Sequence, residues 1–228
     1  MSTYVLSDLH SHLHHLEAFR QELEPGDEVF CLGDCIDKGP DGIEVLREVL
    51  NDERFTYIIG NHEFMMLQYL EARQQGVFAS FEKGILWLRY NYGQPTFDDF
   101  RKLSVTDREI LVRKLYDSYL MKNVEVNGRK FVLVHAYPHD YNGEDVLYYQ
   151  KSDEERQQYV WERHLFYHLE ERTIITGHNI AYMIEPAEPC EVVTDGQWYD
   201  IDCGLAANAP WSRLAVLKLD DMSVKYYD

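Results

Sequence analysis

Five short clusters of Asp, His and Asn punctuate this chain, and each follows an apolar, largely β-branched run. Asp8-Leu9-His10 comes after Tyr4-Val5-Leu6, and Gly33-Asp34-Cys35-Ile36-Asp37 after Val29-Phe30-Cys31-Leu32. Gly60-Asn61-His62-Glu63 comes after Tyr57-Ile58-Ile59, Val134-His135-Ala136 after Phe131-Val132-Leu133, and Gly177-His178-Asn179 after Ile174-Ile175-Thr176. Runs of that kind read as buried strands. Five strands that end in ligand-type side chains constrain the fold strongly, because strand-end loops are where an α/β sheet places its chemistry.

Around these clusters the first half alternates strand and helix. The pattern predicts strands at 3–6, 28–32 and 55–59, and helices at 12–23, 41–50 and 62–74, with Leu13, Leu16 and Phe19 at helical spacing in the first. That order implies a mainly parallel sheet covered by helices. Residues 78–118 read as a helical insert rich in aromatics, broken at Gly93-Gln94-Pro95. It is expected to pack beside the sheet, as a structural cap or as a wall of the substrate entrance. Asn127-Gly128 between two apolar runs signals a hairpin. Residues 152–171 read as polar and mostly helical. Strands are expected at 172–176, 191–194, 197–201, 213–219 and 223–227, and with the hairpin runs Val124–Val126 and Lys130–Val134 this strand-rich second half is expected to give a second, more antiparallel sheet. A chain of 228 residues, 45% hydrophobic and without a linker-like stretch, fits one compact domain over 1–228.

The net charge of -18 argues against a nucleic-acid partner, since phosphate contacts need Lys and Arg. It leaves a phosphorylated substrate open, because bound cations reverse the local field. No apolar stretch is long enough to span a membrane, and the N-terminus lacks a leader pattern. Cys31, Cys35, Cys190 and Cys203 show no zinc or redox spacing. Cys31 and Cys35 read as core residues, and a cytoplasmic location is expected.

The side chains themselves suit two divalent cations. Asp34 is a candidate bridging carboxylate, Asp8 and His10 can point the same way from an extended loop, and Asn61, His135 and His178 complete a second set. An amide oxygen among the donors suits Mn²⁺, Fe or Zn²⁺ in a mixed site, not a closed structural zinc. Such a pair of ions neutralises a phosphoryl group and supplies an activated water. His62 is placed to protonate the leaving alkoxide, and Asp37 to hold His62 in its protonated form. Lys38 and a distant Arg can grip the remaining phosphate oxygens. His12, His14, His15 and His168 have no motif around them and read as surface or packing residues, and His139 and His164 are left without a role.

Taken together, the motifs resemble the calcineurin-like metallophosphoesterase superfamily, and within it the phosphoprotein phosphatase family of the bacterial and bacteriophage lambda type. Ser7-Asp8-Leu9-His10-Ser11, Gly33 to Gly39, Gly60 to Glu63, Val134-His135-Ala136 and Gly177-His178 follow the family pattern. His135 to His139, Val160-Trp161-Glu162-Arg163 and Tyr199 to Gly204 are similar to further family segments. The resemblance implies a four-layer αββα sandwich and a dinuclear centre, with Mn²⁺ first and Fe, Zn²⁺ or Ni²⁺ as alternatives. It implies Asp8, His10 and Asp34 around one ion and Asp34, Asn61, His135 and His178 around the other. His62 becomes the general acid paired to Asp37, and Lys38, Asn61 and Arg163 contact phosphate. Ser7 and Ser11 replace family glycines, which is compatible only where positive φ is not needed. Lys38 replaces an Arg and loses its bidentate fork. Ile59 stands where many relatives have Arg.

The implied activity is hydrolysis of phosphoric esters, in first place on phosphoproteins. The rivals are a dinucleoside tetraphosphate hydrolase and a hydrolase of small phosphomonoesters or phosphodiesters. Asp37 and Glu63 favour the phosphatase, since the tetraphosphatase relatives tend to lack that acid and to end the third motif in Asp. A binding module that had kept only the fold is expected to have lost a ligand or His62, and neither is lost.

Overall fold

The apolar runs form strands close to where their pattern places them. In the computed structural model, which describes the backbone of residues 1–228 and every side chain except those of 77–80, the chain opens with β1 (Thr3–Leu6), α1 (Leu13–Arg20), β2 (Glu28–Cys31), α2 (Gly42–Asn51), β3 (Phe55–Tyr57) and α3 (Asn61–Gln75). Next come α4 (Val77–Gly84), a π-helical turn at Ile85–Tyr90, α5 (Gln94–Lys102) and α6 (Val105–Tyr116). The rest comprises β4 (Tyr119–Val126), β5 (Arg129–Val134), β6 (Val146–Leu147), α7 (Asp153–Trp161), β7 (Thr173–Thr176), α8 (Ala181–Ile184), β8 (Val193–Thr194), β9 (Trp198–Asp200), β10 (Leu214–Lys218) and β11 (Val224–Tyr227).

These strands make two sheets, ordered β11-β10-β1-β2-β3 and β6-β4-β5-β7-β9-β8. Strands β1, β2 and β3 run parallel, as do β5, β7 and β9. Side chains alternate across each strand. Val5, Phe30, Leu133, Ile175 and Leu217 point between the sheets into one apolar layer. Their neighbours Leu6, Cys31, Val134, Ile174 and Val216 point outward into the layer shared with the helices. Register fixes this, since Val5 pairs with both Phe30 and Leu217, and Leu133 with Ile175. Helices lie outside, α2 against β3, α1 against β11 and α7 against β4. The result is the αββα sandwich. The sheets also join at an edge, where the Ile59 N–H donates to the Tyr119 carbonyl at 2.8 Å.

Three expectations are corrected. The C-terminal strands do not all enlarge the second sheet, because β10 returns to pair antiparallel with β1. The inward faces of Leu217 and Leu219 bury against Val5 and Leu32, which single-strand periodicity cannot specify. The second sheet is accordingly mixed, with three parallel strands at its centre. Residues 162–171 are not helical, for α7 ends at Trp161 and the chain takes positive φ at Phe166 and Glu171. Arg163 is bonded there to the His178 carbonyl, a tertiary contact that overrides helical propensity. The hairpin is as expected, with positive φ at both Asn127 and Gly128 in the two-residue turn between β4 and β5. The 78–118 segment is helical, and Pro95 lies in the first turn of α5, where its missing N–H costs nothing. Among the described residues, no helix is long and apolar enough to cross a membrane.

Candidate metal centre

Strand direction gathers the motifs. Parallel β1, β2 and β3 deliver Asp8, His10, Asp34, Asp37, Asn61 and His62 to one end of the first sheet, and β5 and β7 deliver His135 and His178 from the second. Backbone bonds lock the loops together. The N–H groups of Asp8, His10 and Ser11 donate to the carbonyls of Gly33, Asp34 and Cys35 at 3.1, 2.9 and 2.8 Å, and Gly177 donates to His135 at 2.9 Å. Glu63, fully buried, accepts the N–H groups of Asp34 and Cys35 at 2.9 Å and of Gly60 at 3.2 Å. It is the scaffold of the Asp34 loop, a role the motif alone does not reveal. Gly60 is required by proximity, since a Cβ there would lie 2.1 Å from Asp34 Oδ1. Asp8, His10, Ser11, Asp34, Asp37, Lys38 and His178 all have positive φ, a costly concentration of strain. Ser11 therefore occupies a position that favours glycine, while its hydroxyl donates to the Asp37 carbonyl at 2.9 Å.

The histidines point inward in one sense. His10 Nδ1 bonds the Ile36 carbonyl at 3.1 Å, His135 Nδ1 the Leu32 carbonyl at 2.6 Å, and His62 Nδ1 Asp37 Oδ2 at 2.6 Å. Each Nδ1 is thus the donor, which leaves the Nε2 lone pairs free. Those three Nε2 atoms surround Asp34 Oδ2 at 3.7, 3.6 and 3.9 Å, too far for hydrogen bonds. Asp8 Oδ1 is 3.7 Å from His10 Nε2. His135 Nε2 and His178 Nδ1 both lie 3.0 Å from Asn61 Oδ1. Lone pairs facing a buried carboxylate are mutually repulsive unless a cation sits among them, and a carbonyl on the outer nitrogen is how ligating imidazoles are oriented. The residues fit divalent ions. Two overlapping donor groups, His10–Asp34–His62 and Asp8–Asp34–His135, share Asp34.

Electrostatics point the same way. Burial, then the neighbouring charges of Asp8 and Glu63, push Asp34 well above the usual carboxylate range. Burial also pushes His135 down, and pushes His178 well below its ordinary value with help from His135 and Arg163. Neutral imidazoles are the ligand form. Burial opposes the charged form of His10, yet His10 moves up, because Asp8, Asp202 and the Ile36 carbonyl together outweigh it. Asp37 was expected to keep His62 protonated, and its carboxylate favours the charged ring. Burial pushes His62 down to about 4 against the pull of Asp37.

Asp37 is completely buried, and its Oδ2 also accepts the Trp87 indole N–H at 2.8 Å. Lys38 and Arg163 line the same hollow, of about 170 Å³, as Asp8, His10, Asp34, Asn61, His62 and His178. Arg163 donates to Asn179 Oδ1 at 2.9 Å, and the Lys38 ammonium lies 4.6 Å from the Tyr92 ring centroid. Asn91, Trp161, Ile180, Asp202 and Ala206 complete the lining and were not foreseen as site residues. Two of them carried a signal, Asp202 within the Tyr199–Gly204 segment and Trp161 within Val160–Arg163. His12, His14 and His15 cluster at the start of α1 outside this hollow, with His12 just before the helix, His15 buried and His14 exposed. Burial drives the Cys35 thiol well up, in keeping with a packing role.

Against known proteins, residues 1–179 match the calcineurin-like phosphoesterase superfamily domain. The chain is 29% identical over 152 residues to serine/threonine-protein phosphatase 2 of Escherichia coli, covering 64% of this chain and 61% of that protein. It is 34% identical over 71 residues to the symmetrical bis(5'-nucleosyl)-tetraphosphatase of Erwinia tasmaniensis, covering 29% of this chain and 26% of that one. The matches to the two curated serine/threonine phosphatases span 61% and 47% of their length. Among solved structures it superimposes on a serine/threonine phosphatase of Saccharomyces cerevisiae with a TM-score of 0.60 and 12% identity, covering 100% of this chain and 80% of that one, a likeness of fold alone.

Proposed function

The chain belongs to the calcineurin-like phosphoesterase superfamily, and from that premise we propose that it hydrolyses phosphoric monoesters, with phosphoproteins as the favoured substrates, at a dinuclear metal centre. The chain acts in this reading as one domain, with 78–118 as its insert. Asp8, His10 and Asp34 would hold one ion and Asp34, Asn61, His135 and His178 the other, with Mn²⁺ the favoured metal. Bound there, the ions would supply Lewis-acid stabilisation of the phosphoryl charge and lower the pKa of water.

The observation that carries the proposal is the His62–Asp37 bond at 2.6 Å, made by a ring whose other nitrogen lies 3.9 Å from the shared Asp34 Oδ2. His62 Nε2 faces the hollow, so the ring can hand a proton to the departing alkoxide while Asp37 stabilises the charge on its far nitrogen. A phosphate dianion beside the ring raises its proton affinity and opposes the effect of burial. Arg163 and Lys38, which both line the hollow, bind non-bridging oxygens. A hollow of about 170 Å³ takes a phosphoryl group, whereas whole ligands usually occupy roughly 300 Å³ or more. The alcohol portion of the substrate therefore lies over the rim. The chain's four free thiols suit a reducing, cytoplasmic setting.

Dinucleoside tetraphosphate hydrolysis is the second reading, favoured by the likeness to the Erwinia tasmaniensis enzyme. Metal-stripped protein reloaded with Mn²⁺ separates the two, assayed on a phosphopeptide, p-nitrophenyl phosphate and diadenosine tetraphosphate. Higher kcat/KM on the phosphopeptide is expected. Preference for the dinucleotide would replace the first reading with the second.

A further inference from the structure

Among the described residues, the helical segment 78–118 gives no side chain to the donor cluster, yet it grips the acid pair. Trp87 sits fully buried in the π-helical turn Ile85–Tyr90, a type of irregularity that concentrates at functional sites. Its indole N–H and His62 Nδ1 share one acceptor, Asp37 Oδ2, at 2.8 and 2.6 Å. Asp37 Oδ1 is buried without a partner among the described residues. The direction of the carboxylate therefore rests on those two bonds. From α5, the Thr96 hydroxyl accepts the Asp37 backbone N–H at 3.1 Å, so the same segment also holds the strained backbone behind it.

Trp87 is itself braced. Phe97 and Tyr69 pack against the indole with ring centroids 6.1 and 5.6 Å away. Gly93 backs onto it so closely that a Cβ would lie 2.4 Å from Nε1. A buried indole needs an acceptor, and a backbone carbonyl would serve for packing alone. Here the acceptor is the carboxylate whose other bond orients His62.

The geometry points to Trp87 as a positioning residue: its indole N–H holds the Asp37 carboxylate against His62 Nδ1, so that His62 Nε2 is aimed into the hollow. The inference rests on the reading of His62 as the proton donor. It predicts a selective defect. The p-nitrophenolate group departs without a proton, whereas a serine alkoxide needs one.

The test is Trp87→Phe in the Mn²⁺-loaded enzyme, which keeps a ring and removes the donor. Turnover of a phosphoserine peptide should fall by about tenfold, part of the hundredfold or more that acid catalysis supplies, with KM and metal content unchanged. Turnover of p-nitrophenyl phosphate should change by less than about twofold. In a His62→Asn background the same substitution should add no further loss. Equal slowing of both substrates, or a loss that adds to that of His62→Asn, would overturn the inference. Gly93→Ala presses on the indole without removing it, and serves where Trp87→Phe does not fold. The same selective loss is expected.

A spectroscopic measurement separates this inference from the proton-donor reading. In protein loaded with diamagnetic Zn²⁺, Trp87→Phe should move the His62 Nδ1–H resonance. Asp37→Asn should move the Trp87 indole resonance more than those of Trp161, Trp198 and Trp211. If His62→Asn slows both substrates equally, the proton-donor reading fails while these shifts still uphold the positioning contact. An unmoved His62 resonance overturns the inference whatever the kinetics.

Discussion

The layer between the sheets and the cradle at the strand ends are buried to the same degree and differ in almost every other respect. Val5, Phe30, Leu32, Leu133, Ile175 and Leu217 fill the first with apolar side chains. Each such side chain contributes about 2 kcal/mol by leaving water. Asp8, His10, Asp34, Asp37, His62 and His135 fill the second, at no more than a few per cent exposure. Their carboxylates crowd together, their lone pairs converge, and much of their backbone has positive φ. Burial therefore measures stabilisation in one region and expenditure in the other. The strands of the first region hold the second in place, and the second uses that rigidity to keep groups that would otherwise repel one another.

The sharpest way to break this contrast is Asp34→Asn. Turnover should fall about a thousandfold or more, since the shared donor is lost, and bound metal should fall with it. The metal-free variant should melt no lower than the metal-free parent, because a carboxylate that burial drives well above its usual range has been removed. Kinetics, metal analysis and thermal unfolding would check this, and retained turnover would end the dinuclear reading. Leu133→Ala probes the other region. It should cost about 3 kcal/mol of unfolding free energy while leaving turnover per folded molecule unchanged, as read by denaturant titration beside an assay. A parallel fall in both would mean that core and cradle are not separable.

Within the cradle, His62→Asn should keep its metal and lose about a hundredfold on a phosphoserine peptide, with a much smaller loss on p-nitrophenyl phosphate. Equal losses would remove His62 as the acid. His15 supplies the smallest test, being a buried histidine outside the cradle whose Nδ1 has no partner among the described residues. Burial, with His14 and His12 nearby, pushes it down to about 4 from an ordinary 6.5. The unfolded chain thus binds a proton that the folded chain refuses, and stability is lost as pH falls from about 6.5 towards 4. The loss at pH 5 should be on the order of 1 kcal/mol. His15→Leu should flatten that slope in melting curves taken between pH 7 and pH 5.

Much of this was legible in the sequence because it is local. The strand at 3–6, the Asn127-Gly128 hairpin and the helix after Asn61 follow from apolar periodicity and turn chemistry within a few residues. So does the placing of Asp8, Asp34, Asn61, His135 and His178 at strand ends, once the sheet is assumed parallel. Other features have no local signature. Residues 162–171 look helical but leave the helix where Arg163 bonds the His178 carbonyl. Glu63 reads as part of a ligand motif and proves to be the brace of the Asp34 loop. Trp87 reads as one aromatic among several, although its indole N–H ends on Asp37 Oδ2.

Most of the order of strands and helices, the residues able to ligate and the family to which the chain belongs can be read along the chain, because periodicity and motif spacing are properties of neighbouring residues. That β10 joins β1, that three imidazoles converge on one carboxylate oxygen and that the helical insert holds the acid pair are settled by folding alone. Those outcomes depend on contacts between residues tens to hundreds of positions apart, such as Val5 with Leu217 and Asp37 with Trp87, whose energies are fixed by packing and register that no short stretch of chain encodes.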